Sequence, residues 1–182
     1  MSEGDKQRWD EKWSSMAGES DPPDLLLTQN RSLLTGSKAL DIACGRGQNA
    51  IWLAQQGYSV LGVDISQVAL TSARARAESK GLSGHVQFNQ ADLTAWTPPP
   101  NAFDLICVFR FLERSLFPSI RRALCPGGLL FYSTRNTGAL KKRPEANPDY
   151  LLRPGELKEI FSGWQIIHYL ERPENTDLIA RK

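Results

Sequence analysis

The sequence predicts a doubly wound α/β domain, a mostly parallel sheet with helices on both faces, and three observations carry that prediction. From Gly36 onward, apolar runs of strand length alternate with helix-length stretches, the pattern of a parallel sheet with crossover helices. The run "FDLICVF" from Phe103 is almost continuously apolar, as a strand buried on both faces requires. The stretch "ALDIACGRGQNAIWLA" from Ala39 to Ala54 passes from an apolar strand through a glycine-broken loop straight into a helix. Such a loop costs stability unless it holds something.

Taken in order, residues 1–35 are expected to form an N-terminal helical lid segment, amphipathic, with Trp9 and Trp13 four apart on one face. Residues 36–182 are expected to form the main domain of a single globular unit. Within it, "KALDIA" reads as the first strand and "QNAIWLAQQG" as a helix ending at Gly57. "YSVLGVDIS" is the second strand, and the next helix starts at the N-cap residue Ser66 and ends near Gly81. "HVQFNQAD" is the third strand, followed by "TPPP", which fits no regular element. After the fourth strand, "LFPSIRRAL" is a helix that "CPGG" should stop before the fifth strand, "LLFYSTR". A polar, basic connection, "NTGALKKRPEANPDY", leads to the helix "RPGELKEIFSG". "WQIIHYLE" and "TDLIARK" flank the turn "RPEN", too short for a crossover helix. They should form a hairpin that brings an antiparallel strand to the end of the sheet.

The chain's 182 residues suffice for one domain with a substantial core. A net charge of +2 argues against a dedicated nucleic-acid binder. The charged start "MSEGDKQRWDEKW" lacks the apolar stretch of a signal peptide, and no apolar run approaches the roughly 20 residues of a membrane span. Cys44, Cys107 and Cys125 lie far apart without metal-ligand spacing. A cytoplasmic protein without metal, membrane or nucleic-acid partner is therefore expected; the oligomeric state is not legible.

In an open α/β sheet, ligands bind beyond the carboxyl ends of the strands at the switch point, where the glycine loop falls. Gly45 and Gly47 let the backbone turn sharply, and the following helix offers free N–H groups to an anion. Asp41 lies inside the first strand, Asp64 ends the second, and Asp92 ends the third. A carboxylate in a buried strand needs a reason. At the end of the second strand an acid accepts hydrogen bonds from ribose hydroxyls in nucleotide-binding sheets. The loop G-R-G-Q-N-A lacks the third glycine of a dinucleotide fingerprint, which disfavours a dinucleotide enzyme.

The ordered pieces "LDIACGRGQN", "VLGVDIS", "QADL", "FDLICV" and "CPGGLLFYSTR" resemble the motifs of class I S-adenosylmethionine-dependent methyltransferases. The resemblance covers Lys38 to the C-terminus. "RWDEKW", "ERSLFPSIRRALCPGG", "NPDYLLRPGEL" and the segment Trp164 to Glu171 are similar to the small tellurite-resistance-like and thiopurine-methyltransferase-like branch. The resemblance implies a Rossmann-like seven-stranded sheet of order 3-2-1-4-5-7-6 and S-adenosylmethionine as cofactor, with its demethylated form as product. It implies that Asp41 and the backbone of Ala43, Cys44 and Gly45 hold the methionine amino end, with Gly47 and Asn49 near the carboxylate. Asp64 would take the ribose hydroxyls and Ile65 pack on the adenine. Asp92 and the Leu93 N–H would read the adenine edge, and Phe109 would line the floor below the sulfonium. Arg135 stands where close relatives carry a more neutral aromatic.

Methyl transfer from a sulfonium is an in-line displacement that needs alignment and exclusion of water, and a base only if the nucleophile is protonated and weak. His85 opens the third strand at the wrong end, and His168 lies within the sixth. Neither is a convincing base. That favours a small acceptor ionised near neutral pH, a thiol or a metalloid oxyanion, although Asp or Glu can also serve. Arg110, Glu113, Arg135 and Asn136 should face the acceptor mouth, where the arginines either attract an anion or pair with carboxylates at a solvated rim. Trp9 and Trp13 either fold over the cofactor or pack an amphipathic helix on the domain; both can hold. Cys44 sits where a helix N-terminus lowers thiol pKa, but its counterpart in similar proteins acts through backbone. "NPDY" at Asn147 follows the fifth strand rather than the fourth and lacks a second proline, which disfavours DNA or amide methylation. A cofactor-binding sensor without turnover is the alternative of another class.

Overall fold

The computed structural model describes residues 3–16 and 22–182. Helix α1 spans Glu3–Ser15 and α2 spans Leu25–Gln29. The Asp24 side chain caps α2 by accepting from the Leu26 N–H at 2.9 Å, and a 3-10 turn follows at Arg31–Leu33. The helical expectation over residues 1–35 thus resolves into these pieces, while 1–2 and 17–21 lie outside the described residues.

Strand β1 (Lys38–Ile42) leads to α3 (Gln48–Gln55), β2 (Ser59–Asp64) to α4 (Gln67–Ser79), and β3 (Val86–Gln90) to β4 (Phe103–Phe109). Ser66 caps α4 as the sequence predicts, its Oγ accepting from Ala69 N–H at 3.1 Å. Then come α5 (Phe117–Ala123), β5 (Leu124–Arg135), α6 (Glu156–Ile160), β6 (Gln165–Glu171) and β7 (Asn175–Arg181). Among the described residues, these strands form one sheet of order β3-β2-β1-β4-β5-β7-β6, the order expected. Strands β1 to β5 run parallel, and β7 lies antiparallel between β5 and β6. The switch point falls between β1 and β4, because the chain winds outward through β2 and β3 before returning.

Residues alternate across the sheet and build a core on each face. Leu27, Leu53, Leu70 and Phe131 pack on the side of α2, α3 and α4. Leu40, Ile106, Ile120, Tyr132 and Phe161 pack on the side of α5 and α6. Each such fully buried side chain contributes about 1.5–3 kcal/mol.

One boundary differs from the sequence reading. The "CPGG" segment is not a loop ahead of β5 but a bulge within it: pairing jumps from Phe103↔Leu124 to Leu105↔Leu129. Pro126 ends helix formation yet leaves the backbone extended, and Gly127 takes φ +79° to make the kink. The Gly127 N–H donates to the Lys182 carbonyl at 2.9 Å, and the Lys182 N–H donates to the Gly128 carbonyl at 3.0 Å. Among the described residues, no helix is long and apolar enough to cross a membrane.

Candidate active site

The loop from β1 into α3 is left-handed at three places: Ala43 at φ +55°, Gly45 at +53° and Gly47 at +74°. A β-carbon at Gly47 would lie 2.7 Å from Phe88 Cζ, so that position needs glycine on space as well as on backbone. Ala43 bears the left-handed cost of about 1–2 kcal/mol, which the surrounding bonds hold in place. The Cys44 N–H donates to the Val63 carbonyl, and the Gly47 N–H donates to the Cys44 carbonyl. At the start of α3 the Gln48 and Asn49 N–H groups carry no backbone acceptor among the described residues, the usual condition of a helix N-terminus. Beside them the buried Oε1 of Gln48 has no hydrogen-bond partner among the described residues. Free donors and an orphaned acceptor on one turn fit a ligand carrying both carboxylate and ammonium.

Asp41 is 1% exposed, and its Oδ2 accepts from the Ala50 N–H at 3.1 Å. Burial pushes its carboxyl up to about 8, against the lowering effect of the Ala50 bond and with a smaller push from Asp64. Asp64 is also buried. Its two oxygens accept from the Gly45 N–H at 2.8 Å and the Ser66 N–H at 2.9 Å, so it stitches the loop to β2 and retains further lone pairs. Burial raises its pKa, which these N–H bonds oppose. Cys44 departs from the expectation of a lowered thiol pKa: burial first, then the fields of Asp41 and Asp64, push it well above its ordinary value. The helix terminus is outweighed because the thiol is 2% exposed.

Ile65 and Phe109 are buried at the ends of β2 and β4. Asp92 lies two residues past β3, its Oδ1 accepting from Thr94 N–H and Oγ1. Leu93 is buried in the core on the α5 side. The Asn49 Oδ1 accepts from the Asp24 N–H at 2.8 Å, so this side chain tethers the segment before α2.

Helix α1 covers the loop. A β-carbon at Gly45 would lie 3.0 Å from Trp13 Cζ2, and Trp9 stacks on Trp13 with centroids 6.5 Å apart. Asp10 Oδ1 accepts from Ser66 Oγ at 2.5 Å, and Arg46 donates to the Met16 carbonyl at 2.9 Å. Trp13 therefore lies on the glycine-loop side rather than at the acceptor mouth.

Of the residues expected at that mouth, Arg110 follows β4 in an exposed position with φ +56°. Arg135 is exposed at the end of β5. Glu113 is turned inward on its own segment, accepting from Ser115 N–H and Oγ. Asn136 is 8% exposed and ties the connection to the hairpin, donating to the Arg172 carbonyl and Thr176 Oγ1 and accepting from Gly138 N–H. Glu113 thus closes a local turn, whereas Asn136 closes one at Gly138 and also reaches across to the hairpin.

The sequence reading missed a polar group beside Arg110. Asp177, 4% exposed in β7, accepts from Ser133 Oγ at 2.7 Å and Asn175 Nδ2 at 2.8 Å and pairs with Arg172 at 3.1 Å. Asp24 interacts electrostatically with Arg110, Asp177 and Arg172. The signal for Asp177 was present, since "TDLIA" places a carboxylate in a buried strand as "LDIA" does at Asp41.

The Methyltransferase domain family matches residues 39–128. A ubiquinone biosynthesis O-methyltransferase from Thiobacillus denitrificans is 32% identical, covering 76% of this chain and 68% of the relative. The chain belongs to the class I S-adenosylmethionine-dependent methyltransferases. S-adenosylmethionine is the cofactor of that family. Two solved structures share the fold with this methyltransferase chain. An S-adenosylmethionine-dependent methyltransferase from Mesorhizobium loti is 23% identical with TM-score 0.70, covering 85% of this chain and 96% of the other. TehB from Haemophilus influenzae is 17% identical with TM-score 0.77, covering 96% of this chain and 67% of the other. The chain spans about half to two thirds of the length of the curated relatives it matches.

Proposed function

We propose that the protein transfers the methyl group of S-adenosylmethionine to an oxygen nucleophile on a small molecule. The observation that carries this is the left-handed loop with free N–H groups and the orphaned Gln48 Oε1 at the switch point. The Gln48 and Asn49 N–H groups would hold the methionine carboxylate, and Gln48 Oε1 and the backbone of Ala43, Cys44 and Gly45 its amino end. Asp41 acts from below by holding α3 through Ala50. Gly47 lets the loop approach the helix. Asp64 would take the ribose hydroxyls on its remaining lone pairs, Ile65 would pack on the adenine, Asp92 and the Leu93 N–H would read its edge, and Phe109 would floor the sulfonium. When bound, the sulfonium supplies an activated methyl group with its leaving group attached. The protein's part is then to align and to exclude water, for which α1 and residues 136–153 are the available cover. Arg110 and Arg135 would draw an anionic acceptor to the mouth.

The oxygen acceptor is supported by the O-methyltransferase name of the relatives. A thiol or metalloid oxyanion, as in the tellurite-resistance-like branch, is the second reading. It is favoured by the place of the histidines: His85 precedes β3 at the amino end, and His168 lies within β6.

Calorimetric titration with S-adenosylmethionine and with S-adenosylhomocysteine tests the cradle. Micromolar binding of both, lost in Asp64→Ala, is expected; no binding of either overturns the reading. Turnover of catechol, benzenethiol or tellurite then separates the acceptor classes, and binding without any turnover supports the non-catalytic sensor instead.

A further inference from the structure

We infer that Asp24 is a catalytic residue that takes the acceptor's proton during methyl transfer, an inference that rests on the oxygen-acceptor reading above. Asp24 is placed for it from three sides. Its N–H donates to Asn49 Oδ1 on the first turn of α3 at 2.8 Å, which ties it to the glycine loop. Its Oδ1 accepts from the Leu26 N–H at 2.9 Å, which fixes the carboxylate plane. Leu26 and Leu27 are buried beneath it and anchor α2 on the sheet. Asp24 thereby bridges the start of α3 and the rim formed by the carboxyl ends of β4 and β5 and the amino end of the antiparallel β7, beside the switch-point crevice.

The second oxygen decides between the two acids of this region. Asp177 is enclosed, with Ser133 and Asn175 on one oxygen and Arg172 on the other. Asp24 is partly buried, and its Oδ2 makes no hydrogen bond among the described residues. A general base needs an open lone pair in reach of the acceptor and a pKa drawn toward the working pH. Burial raises the Asp24 carboxyl; the Leu26 N–H, Arg110 and Arg172 oppose this and Asp177 adds to it. Cys107 of β4 is a further ionisable group that faces it, since its buried thiol feels Asp24 as well as Asp41.

In the step, the acceptor's O–H proton passes to Asp24 Oδ2 while an oxygen lone pair forms the bond to the methyl carbon. The methyl–sulfur bond breaks with its electron pair retained by sulfur, which becomes a neutral thioether. The proton on Asp24 then leaves to water.

The test uses Asp24→Asn, because asparagine caps a helix as well as aspartate does, with Asp24→Glu as the conservative variant. The probes are catechol, protonated at neutral pH, and 4-nitrocatechol, ionised there. Asp24→Asn should lower kcat/KM for catechol at least about 100-fold and remove the acid limb of its pH profile. Turnover of 4-nitrocatechol should fall less than about 5-fold on the same argument, and Asp24→Glu should recover part of the catechol rate. Affinity for S-adenosylhomocysteine should stay within about 3-fold, because Asp24 is outside the cofactor cradle. Carbon-13 NMR titration of the apoprotein should show several raised carboxyls, of which one disappears in Asp24→Asn while those of Asp41 and Asp64 remain. Equal loss on both probes, or none on catechol, overturns the role of Asp24 while leaving the methyltransferase reading intact. Wild-type protein that binds S-adenosylhomocysteine but methylates neither probe overturns the oxygen-acceptor reading and this role with it.

Discussion

Asp41→Asn isolates the cost of the acid inside β1. The wild-type carboxyl moves from 3.8 to about 8 on folding, mainly through desolvation. Between about pH 4 and 8 the folded chain therefore keeps a proton that the unfolded chain has lost. Stability then falls as pH rises across that window, by at most about 1.4 kcal/mol per pH unit, and levels off above it. Asp24 and Asp64 are raised by the same cause and steepen the fall. Asparagine has an oxygen that can accept the Ala50 N–H and nothing to ionise. Urea unfolding of the apoprotein at pH 5, 6, 7 and 8 should show a shallower decline for Asp41→Asn. The gap in its favour should widen to a few kcal/mol by pH 8. Parallel curves for the two proteins would refute the assignment of a buried, protonated Asp41.

Three further outcomes follow from the same contacts. Gly47→Ala should destabilise by about 2–5 kcal/mol, from left-handed strain and the overlap with Phe88, while Gly57→Ala, at φ +94° with open space, should cost only the strain; urea midpoints compare them. Glu156→Gln should cost about 3 kcal/mol, because the 2% exposed Glu156 receives both Arg114 Nε and Nη2 at 2.7 and 2.9 Å. Desolvation raises that carboxyl, but Arg114 and the Arg153 N–H hold it below 4.5, so its contribution is present above that pH and lost as pH falls below it. The variant should accordingly lose part of the acid dependence. Trp13→Ala should speed tryptic cleavage at Arg8 and Lys12 several-fold, through local opening of α1, without moving the global midpoint; an unchanged cleavage rate would show that Trp13 does not hold α1 down.

Local chemistry made much of this protein legible in its sequence. The apolar runs, with turn residues between them, announced the strands and the doubly wound sheet, since strand burial and turn geometry depend on neighbours in the chain. Gly45, Gly47, Asp41 and Asp64 stood out for the same reason, as residue types that their elements do not otherwise want. The strand order 3-2-1-4-5-7-6 came from resemblance to a family and is the order observed.

Tertiary structure decided what depends on partners distant in sequence. Asn49 holds Asp24, and Asn136 ties its connection to the hairpin through Arg172 and Thr176, which residue type and position past a strand do not reveal. Cys44 is raised rather than lowered because burial and two buried acids outweigh the helix terminus. Asp24 and Asp177 lie 153 positions apart in the chain, and meet near Arg110 only because β7 runs antiparallel beside β5 and pairs Asp177 with Ser133. A carboxylate's role is set by what shares its low-dielectric surroundings, and that company is assembled only when the sheet closes its register.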